Sequence, residues 1–177
     1  CEAASVDFSL GNTGAGMGAN AGSLKGGLGS ASYQIDGGLM VGALVAANPF
    51  GEVVMPRGGT LWAWALECGS ELGGQPVPAK ASAQEMFDLP QAGLMGTNTT
   101  IGIVATNATL TKTQAHRLAI MAQDGFTRAV RPSHTPFDGD TIFVVSTGER
   151  AVGDVVPMEL NRLGTIAADC VSRALAR

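Results

Sequence analysis

The last third of the chain alternates strand patterns with helix patterns, and this order limits the fold more than any other feature of the sequence. Residues 99–107 and 141–147 are rich in β-branched and small apolar residues, which is typical of buried strands. Residues 111–130 and 158–175 carry apolar residues at three- and four-residue spacing, which predicts two helices. The order strand, helix, strand, helix predicts an α/β fold with helices layered on sheets.

The helix predicted over residues 111–130 has the clearest boundaries. Thr111 can act as its N-cap, and Gln114 three residues later fits a capping box. Pro132 follows the helix and prevents it from continuing. The two helices are predicted to bury Ala115, Leu118, Ala119, Ala122, Phe126 and Val130 from the first, and Leu160, Leu163, Ile166, Ala167, Cys170, Val171 and Ala174 from the second.

The earlier part of the chain holds most of its 25 glycines. Within it, residues 30–36 and 38–47 are predicted strands, and residues 52–55 are a predicted hairpin return. We expect residues 1–10 to be the end of a helix that leads into a loop. Residues 66–95 have mixed polarity and several prolines, which indicates a connecting region on the surface.

Composition and charge exclude several classes of function. The 177 residues fit one domain, and their net charge of −4 without any run of Lys or Arg argues against nucleic acid as a partner. No stretch reaches the roughly 18 apolar residues of a membrane helix. Three cysteines without CxxC spacing predict neither a disulfide framework nor a thiolate zinc site, so we expect no metal, no cofactor and a cytoplasmic location. Because the chain begins at Cys1 without Met, we expect the natural N-terminus to lie elsewhere.

Asn98, Thr99 and Thr100 form a polar stretch directly before a predicted strand. A threonine hydroxyl becomes a useful nucleophile when a base removes its proton, and a free α-amine on the same residue can be that base. Such an amine requires a cut at the 98–99 peptide bond, which Thr99 could make by attacking the carbonyl of Asn98. On these residues alone, a β-branched entry to a strand is the simpler interpretation.

Further candidates are a pair of carboxylates and an amide. Asp138 and Asp140 precede a predicted strand and would point the same way on an extended chain, so one could orient or deprotonate a nucleophile while the other tunes its pKa. A glycine turn or a weak cation site would explain them as well. Asn48 ends a predicted strand, where its amide could donate to an oxyanion or form a turn before Pro49.

Lys25 and the two histidines complete the set of candidates. Lys25 lies in a glycine-rich loop, where it either holds a substrate or an oxyanion or is simply solvated. His116 falls on the surface of a predicted helix, and His134 precedes Asp138 by four residues. Two histidines this far apart, without a neighbouring cysteine cluster, make a weak case for a metal site.

Five sequence blocks occur in an order that is similar to one known family. They are GNTGAGMGA (11–19), KGGLGSAS (25–32), VGALVAANPFGEV (41–53), NTTIGIVATNATLTKTQAHRLA (98–119) and RPSHTPFDGDTIF (131–143). Together they resemble the DmpA-type aminopeptidases, which include the β-aminopeptidases and the nylon-oligomer hydrolase. The resemblance spans almost the whole chain.

The resemblance implies a precursor that cuts itself before a Ser or Thr, which then becomes the N-terminal nucleophile. That residue matches Thr99, and Asn98 would end the upstream fragment. The family's oxyanion-stabilising asparagine matches Asn48, and the acidic pair of the nylon-oligomer branch matches Asp138 and Asp140. The Thr nucleophile and the first Asp place this chain nearer the Thr-using branch than the Ser-using aminopeptidases.

The resemblance also implies an architecture, a four-layer α/β/β/α sandwich similar to the N-terminal-nucleophile hydrolases. Residues 1–98 would be the end of the upstream (alpha) fragment and residues 99–177 the downstream (beta) fragment, together one domain. Family members carry a segment before the position of Cys1, absent here, and we expect it to be a partner of this chain. They often assemble as tetramers of cleaved protomers, so we expect a homo-oligomer. Lys25 matches either the catalytic lysine of the Thr-using branch or the lysine of the KGG block.

The implied function is amide hydrolysis, acting as an aminopeptidase or amidase on short peptides or related amides. One alternative is an acyltransferase of the ornithine-acetyltransferase type, which shares the self-cleaving threonine. Another is a non-catalytic assembly domain that kept the fold.

Overall fold

The computed structural model describes residues 5–35, 37–88, 98–152 and 156–177. Within these ranges the chain forms six strands and three α-helices, which we number in chain order. The strands are β1 (Asn20–Ala21), β2 (Leu24–Lys25), β3 (Gly27–Gln34), β4 (Met40–Ala47), β5 (Ile101–Ala108) and β6 (Thr141–Arg150). The helices are α1 (Ala83–Phe87), α2 (Lys112–Ala129) and α3 (Val156–Ala176), and short 3-10 turns cover Gly14–Gly16 and Trp64–Leu66.

Strands β3 to β6 form one sheet in the order of the chain, and β1 and β2 form a separate small hairpin. Strand β3 is antiparallel to β4, with Gly27 opposite Ala47, and β4 is antiparallel to β5, with Ala46 opposite Ile101. Strand β5 is parallel to β6, with Ile101 opposite Thr141. Helix α2 makes the crossover connection that a parallel pair requires.

Helices α2 and α3 pack against each other and against the sheet. The predicted capping box of α2 is confirmed: the Thr111 hydroxyl accepts from the backbone N–H of Gln114 at 3.3 Å, and the Gln114 side chain accepts from the N–H of Thr111 at 2.7 Å. A Cβ at Gly125 would lie 2.4 Å from the carbonyl oxygen of Ala168. Glycine at this position therefore allows the two helices to approach closely.

The core lies between these helices and one face of the sheet. Burial of a large apolar side chain contributes about 1.5–3 kcal/mol, so this layer accounts for much of the stability of the described residues. Its largest fully buried apolar side chains are Val41, Val45, Val104, Leu118, Phe126, Val130, Leu163 and Val171.

The opposite face of the sheet is apolar but exposed. Ile101 and Ile103 of β5 are 50% and 38% exposed, and Phe143 and Val145 of β6 are 58% and 43% exposed. The described residues thus supply one helical layer and one sheet of the α/β/β/α architecture.

Several expected element boundaries differ from the structure. The predicted helix end at residues 1–10 is wrong for residues 5–10, which are exposed and not helical; residues 1–4 lie outside the described residues. The predicted return strand at residues 52–55 is also wrong, because Glu52 and Val54 form single bridges with Arg131 and Leu61 instead of pairing with β4.

Two other predicted segments are partly confirmed. Strand β3 begins three residues before the predicted 30–36, and Asp36 lies outside the described residues. The connecting region at 66–95 contains the short helix α1, which has a capping box of its own, and residues 89–95 lie outside the described residues. In the ranges that the structure covers, no helix combines the length and the apolar character needed to cross a membrane.

Candidate active site

The topology of the sheet brings three segments of the chain to one edge. Asn48 directly follows β4, residues 98–100 precede β5, and residues 138–140 precede β6. Because β4 is antiparallel to β5, the end of β4 meets the beginning of β5. Because β5 is parallel to β6, the beginnings of these two strands also lie together, and Asn98 pairs with Asp138 in a parallel bridge.

Thr99 is half-buried at the centre of this edge. Its backbone N–H donates to the carbonyl oxygen of Asn48 at 3.0 Å, and its hydroxyl donates to the carbonyl oxygen of Asn98 at 2.7 Å. The same Asn98 oxygen accepts the backbone N–H of Gly139 at 3.0 Å. The hydroxyl of Thr99 therefore lies against the carbonyl of the 98–99 peptide bond, and a second donor polarises that carbonyl.

Asp138 connects its own loop to the turn after β4. One carboxylate oxygen accepts the backbone N–H of Phe50 at 2.9 Å, and the other accepts the N–H and the hydroxyl of Thr135 at 2.9 and 2.6 Å. The rings of Phe50 and Phe137 stack with their centroids 5.0 Å apart. With three donors on its carboxylate, Asp138 fixes the position of the loop that carries Gly139.

Asp140 lies on the other side of Gly139, and its side chain is buried, with 4% of it exposed. One carboxylate oxygen accepts the N–H of Thr100 at 3.0 Å, and the other lies 2.9 Å from Nδ1 of His134. Burial raises the pKa of Asp140, and the charge of Asp138 acts in the same direction. The hydrogen bond from Thr100 and the contact with His134 oppose this rise.

Asn48 links residues 98–100 to the small hairpin of β1 and β2. Its N–H donates to the hydroxyl of Thr100 at 3.2 Å, and its side-chain oxygen accepts the N–H of Asn20 at 2.9 Å. In this orientation the side-chain oxygen of Asn48 is an acceptor and its side-chain nitrogen is a donor group. Lys25 is the cross-strand partner of Asn20, and its side chain is exposed.

Two residues of the site have contacts that the sequence did not indicate. A Cβ at Gly139 would lie 2.8 Å from the hydroxyl oxygen of Thr99, so any larger residue would force that hydroxyl to move. His134 was a candidate only for a metal, but the structure places it on Asp140. His116 is exposed on α2, as predicted. Among the described residues, no group of three or more His, Cys, Asp or Glu side chains is arranged to hold a metal ion.

The model of peptidase family S58 matches residues 1–177. The chain belongs to this family. An uncharacterized aminopeptidase of Mycobacterium tuberculosis strain H37Rv is 40% identical over 184 residues, which cover 99% of this chain and 54% of the relative. The 6-aminohexanoate-oligomer endohydrolase of Agromyces sp. is 32% identical over 151 residues, which cover 81% of this chain and 41% of that enzyme. The chain spans about half the length of these curated relatives.

Solved structures show the same fold. The L-aminopeptidase D-Ala-esterase/amidase of Ochrobactrum anthropi, a variant of the N-terminal-nucleophile hydrolase fold, superposes with a TM-score of 0.64 at 25% identity, over 98% of this chain and 45% of that one. A β-aminopeptidase of Burkholderia sp. gives a TM-score of 0.61 at 25% identity, over 96% and 46% of the two chains. The resemblance to the DmpA-type family is therefore confirmed.

Proposed function

We propose that this chain belongs to an amide hydrolase that cuts itself between Asn98 and Thr99 and then uses Thr99 as its N-terminal nucleophile. One observation carries the proposal. The Thr99 hydroxyl lies 2.7 Å from the carbonyl oxygen of Asn98, and the N–H of Gly139 donates to that same oxygen at 3.0 Å. A nucleophilic hydroxyl and a hydrogen-bond donor that polarises the carbonyl therefore meet at one peptide bond.

The self-cleavage that we propose is an acyl shift. The Thr99 oxygen bonds to the carbonyl carbon of Asn98, the carbon–nitrogen bond breaks, and the hydroxyl proton ends on the nitrogen of Thr99. Negative charge on the Asn98 oxygen in the intermediate is stabilised by the N–H of Gly139. Water then hydrolyses the ester, which leaves a carboxylate on Asn98 and a free amine on Thr99 beside the carbonyl oxygen of Asn48.

Turnover uses the new amine as the base for the Thr99 hydroxyl, which attacks the amide carbonyl of the substrate. Asn48 is the side-chain donor for the substrate oxyanion, since its orientation is fixed through Asn20. Asp138 and Asp140 hold the segments on either side of the nucleophile. Lys25 extends from the hairpin beside Asn20, where its exposed ammonium is available to a substrate.

The substrates we propose are short peptides and related linear amides. The names of the relatives support this class, because they describe aminopeptidases and a hydrolase of 6-aminohexanoate oligomers. We further propose that the exposed apolar sheet face packs against the N-terminal segment found in the family, in an assembly of several cleaved protomers. Residues 1–98 and 99–177 would then be two fragments of one domain.

The test compares hydrolysis by the natural full-length protein and by its Thr99→Ala variant, with 6-aminohexanoate dimer and aminoacyl p-nitroanilides as substrates. We expect release of the amine product by the wild type and a loss of at least about 1000-fold in the variant. Equal rates for the two proteins would exclude Thr99 as the nucleophile. Adding ornithine as an acceptor tests the acyltransferase alternative, for which acyl transfer to ornithine would dominate over hydrolysis. A wild-type protein that stays uncut and is completely inactive would indicate an assembly domain.

A further inference from the structure

His134 connects the buried carboxylate of Asp140 to solvent. Its Nδ1 lies 2.9 Å from the Asp140 oxygen that does not contact Thr100. The His134 side chain is 33% exposed, whereas that of Asp140 is 4% exposed. The imidazole also packs edge-on against the ring of Phe126 in α2, with the centroids 5.4 Å apart. One ring nitrogen is therefore directed at Asp140 while the ring is held by the helix.

The backbone at His134 adopts an uncommon conformation. Its φ is 54°, in the left-handed region that is uncommon for residues other than glycine, although histidine adopts it more often than most. Such a conformation persists only where surrounding contacts stabilise it, and residues of this kind cluster at functional sites. The hydrogen bond to Asp140 and the packing on Phe126 are the contacts that His134 makes in this conformation.

The charges around Asp140 make the histidine important for its ionisation. Asp138 lies in the same loop and disfavours a second negative charge. Helix α2 contributes His116 and Asp124 to an open groove of about 500 Å³ that His134 and Asp140 also line. The hydrogen bond from Thr100 lowers the pKa of Asp140, and His134 lowers it further, through its charge and through its hydrogen bond.

We propose that His134 is a positioning residue, which donates from Nδ1 to Asp140 and so keeps this carboxylate ionised and aligned with the N–H of Thr100. Through that N–H, Asp140 fixes the chain next to Thr99. Without the donor, burial and Asp138 favour the protonated carboxyl group. As the pH falls, Asp140 would then become protonated at a higher pH than in the wild type. The alignment of Thr99 would be lost at that higher pH.

The inference rests on the proposed function only where it concerns the rate of self-cleavage. The proton affinity of Asp140 is measured separately, in the full-length protein with Thr99→Ala, so that every sample has the same uncut chain. Carboxyl carbon NMR follows Asp140 through a pH titration, and Asp140→Asn assigns its signal. The compared variants are His134→Gly, which removes the ring but accepts a positive φ, and His134→Asn, which keeps a short donor and tolerates this backbone.

We expect His134→Gly to raise the titration midpoint of Asp140 by at least about one pH unit, a tenfold change in proton affinity. His134→Asn should recover part of this shift, and His116→Gln in the same groove should leave the midpoint unchanged. In the protein that keeps Thr99, the acidic limb of the pH profile of self-cleavage should shift to higher pH in His134→Gly. The shift should be smaller in His134→Asn and absent in His116→Gln.

An unchanged midpoint in His134→Gly, or an equal shift in His116→Gln, would overturn the assignment. It would also fail if His134→Asn shifted the midpoint as far as glycine does. If the wild type neither cuts itself nor hydrolyses amides, the proposed function fails, and the titration in the Thr99→Ala background still decides the role of His134.

Discussion

At the scale of single residues, the site depends on a hydroxyl and a carbonyl that belong to neighbouring positions. Thr99 donates to the carbonyl oxygen of Asn98, and Gly139 donates to it from the opposite segment. Gly139 lies so close to Thr99 that an added side chain would displace the Thr99 hydroxyl, because a Cβ would lie 2.8 Å from its oxygen. Three residues therefore define the geometry of the bond that we propose is cut.

Gly139→Ala should slow self-cleavage by about 100-fold, since a displacement of the nucleophile of about 1 Å costs that much. The measurement is the fraction of cut chain over time on a denaturing gel. Gly102→Ala is the matched control, because a Cβ there would make an ordinary contact of 3.4 Å with Ile142. Equal cleavage rates in the two variants would show that the Thr99 hydroxyl does not need this space.

Residue types in the sequence indicated part of this site. Thr99, Asn48 and the two aspartates were candidates because their chemistry suits a nucleophile, an oxyanion donor and a carboxylate pair. Gly139 was not a candidate, because its importance depends on how closely two separate segments of the chain approach each other. The contact of His134 with Asp140 was also missed, because His134 makes it with a positive φ that no local pattern predicts.

At the scale of elements, the turn after β4 and the segment before β6 are held together by backbone contacts. Glu52 and Arg131 exchange two hydrogen bonds of 2.9 Å, and the N–H of Phe50 donates to Asp138. Gly51 lies between these contacts, and a Cβ on it would be 1.9 Å from the carbonyl oxygen of Pro132. The turn carrying Asn48 and the loop carrying Asp138 can thus approach only with glycine here.

Gly51→Ala should lower the free energy of unfolding by about 1–3 kcal/mol, because the added methyl group forces the two segments apart. Self-cleavage should slow as well, since Asp138 would lose its contact with Phe50. Denaturant unfolding and the gel assay measure the two effects. Gly102→Ala again serves as the control, and a Gly51→Ala protein with the stability and cleavage rate of that control would contradict the close packing of these segments.

The regular elements were largely predictable because their periodicity and caps are local. The capping box of α2 and the buried faces of both long helices follow from spacing alone. The return strand expected at residues 52–55 was wrong because Glu52 finds its partner in Arg131, nearly eighty residues later in the chain. Pairing over such distances is decided by the assembled sheet rather than by nearby residues.

At the scale of the whole molecule, the sheet has one face covered by helices and one that is apolar and exposed. A contiguous exposed apolar patch generally marks an interaction surface. The proposed occupant of this face is the N-terminal segment found in the family, and the described residues then form half of a layered sandwich.

Ile103→Lys in the full-length protein should reduce stability by more than about 2 kcal/mol if this face is covered, because it buries an unpaired charge. Ile120→Lys is the matched control, since Ile120 lies on α2 and is 47% exposed here, compared with 38% for Ile103. Its effect should stay within about 0.5 kcal/mol. Similar midpoints of thermal unfolding for both variants would indicate that the sheet face is solvated in the natural protein.

The central claim is that Thr99 becomes an N-terminal residue, and intact mass together with N-terminal sequencing of the purified full-length protein tests it most directly. We predict two fragments, the downstream one beginning with Thr-Thr-Ile at residues 99–101, and a single uncut chain in the Thr99→Ala variant. A wild-type protein that stays intact, a fragment that begins at another residue, or a Thr99→Ala variant that is still cut at this bond would contradict the account.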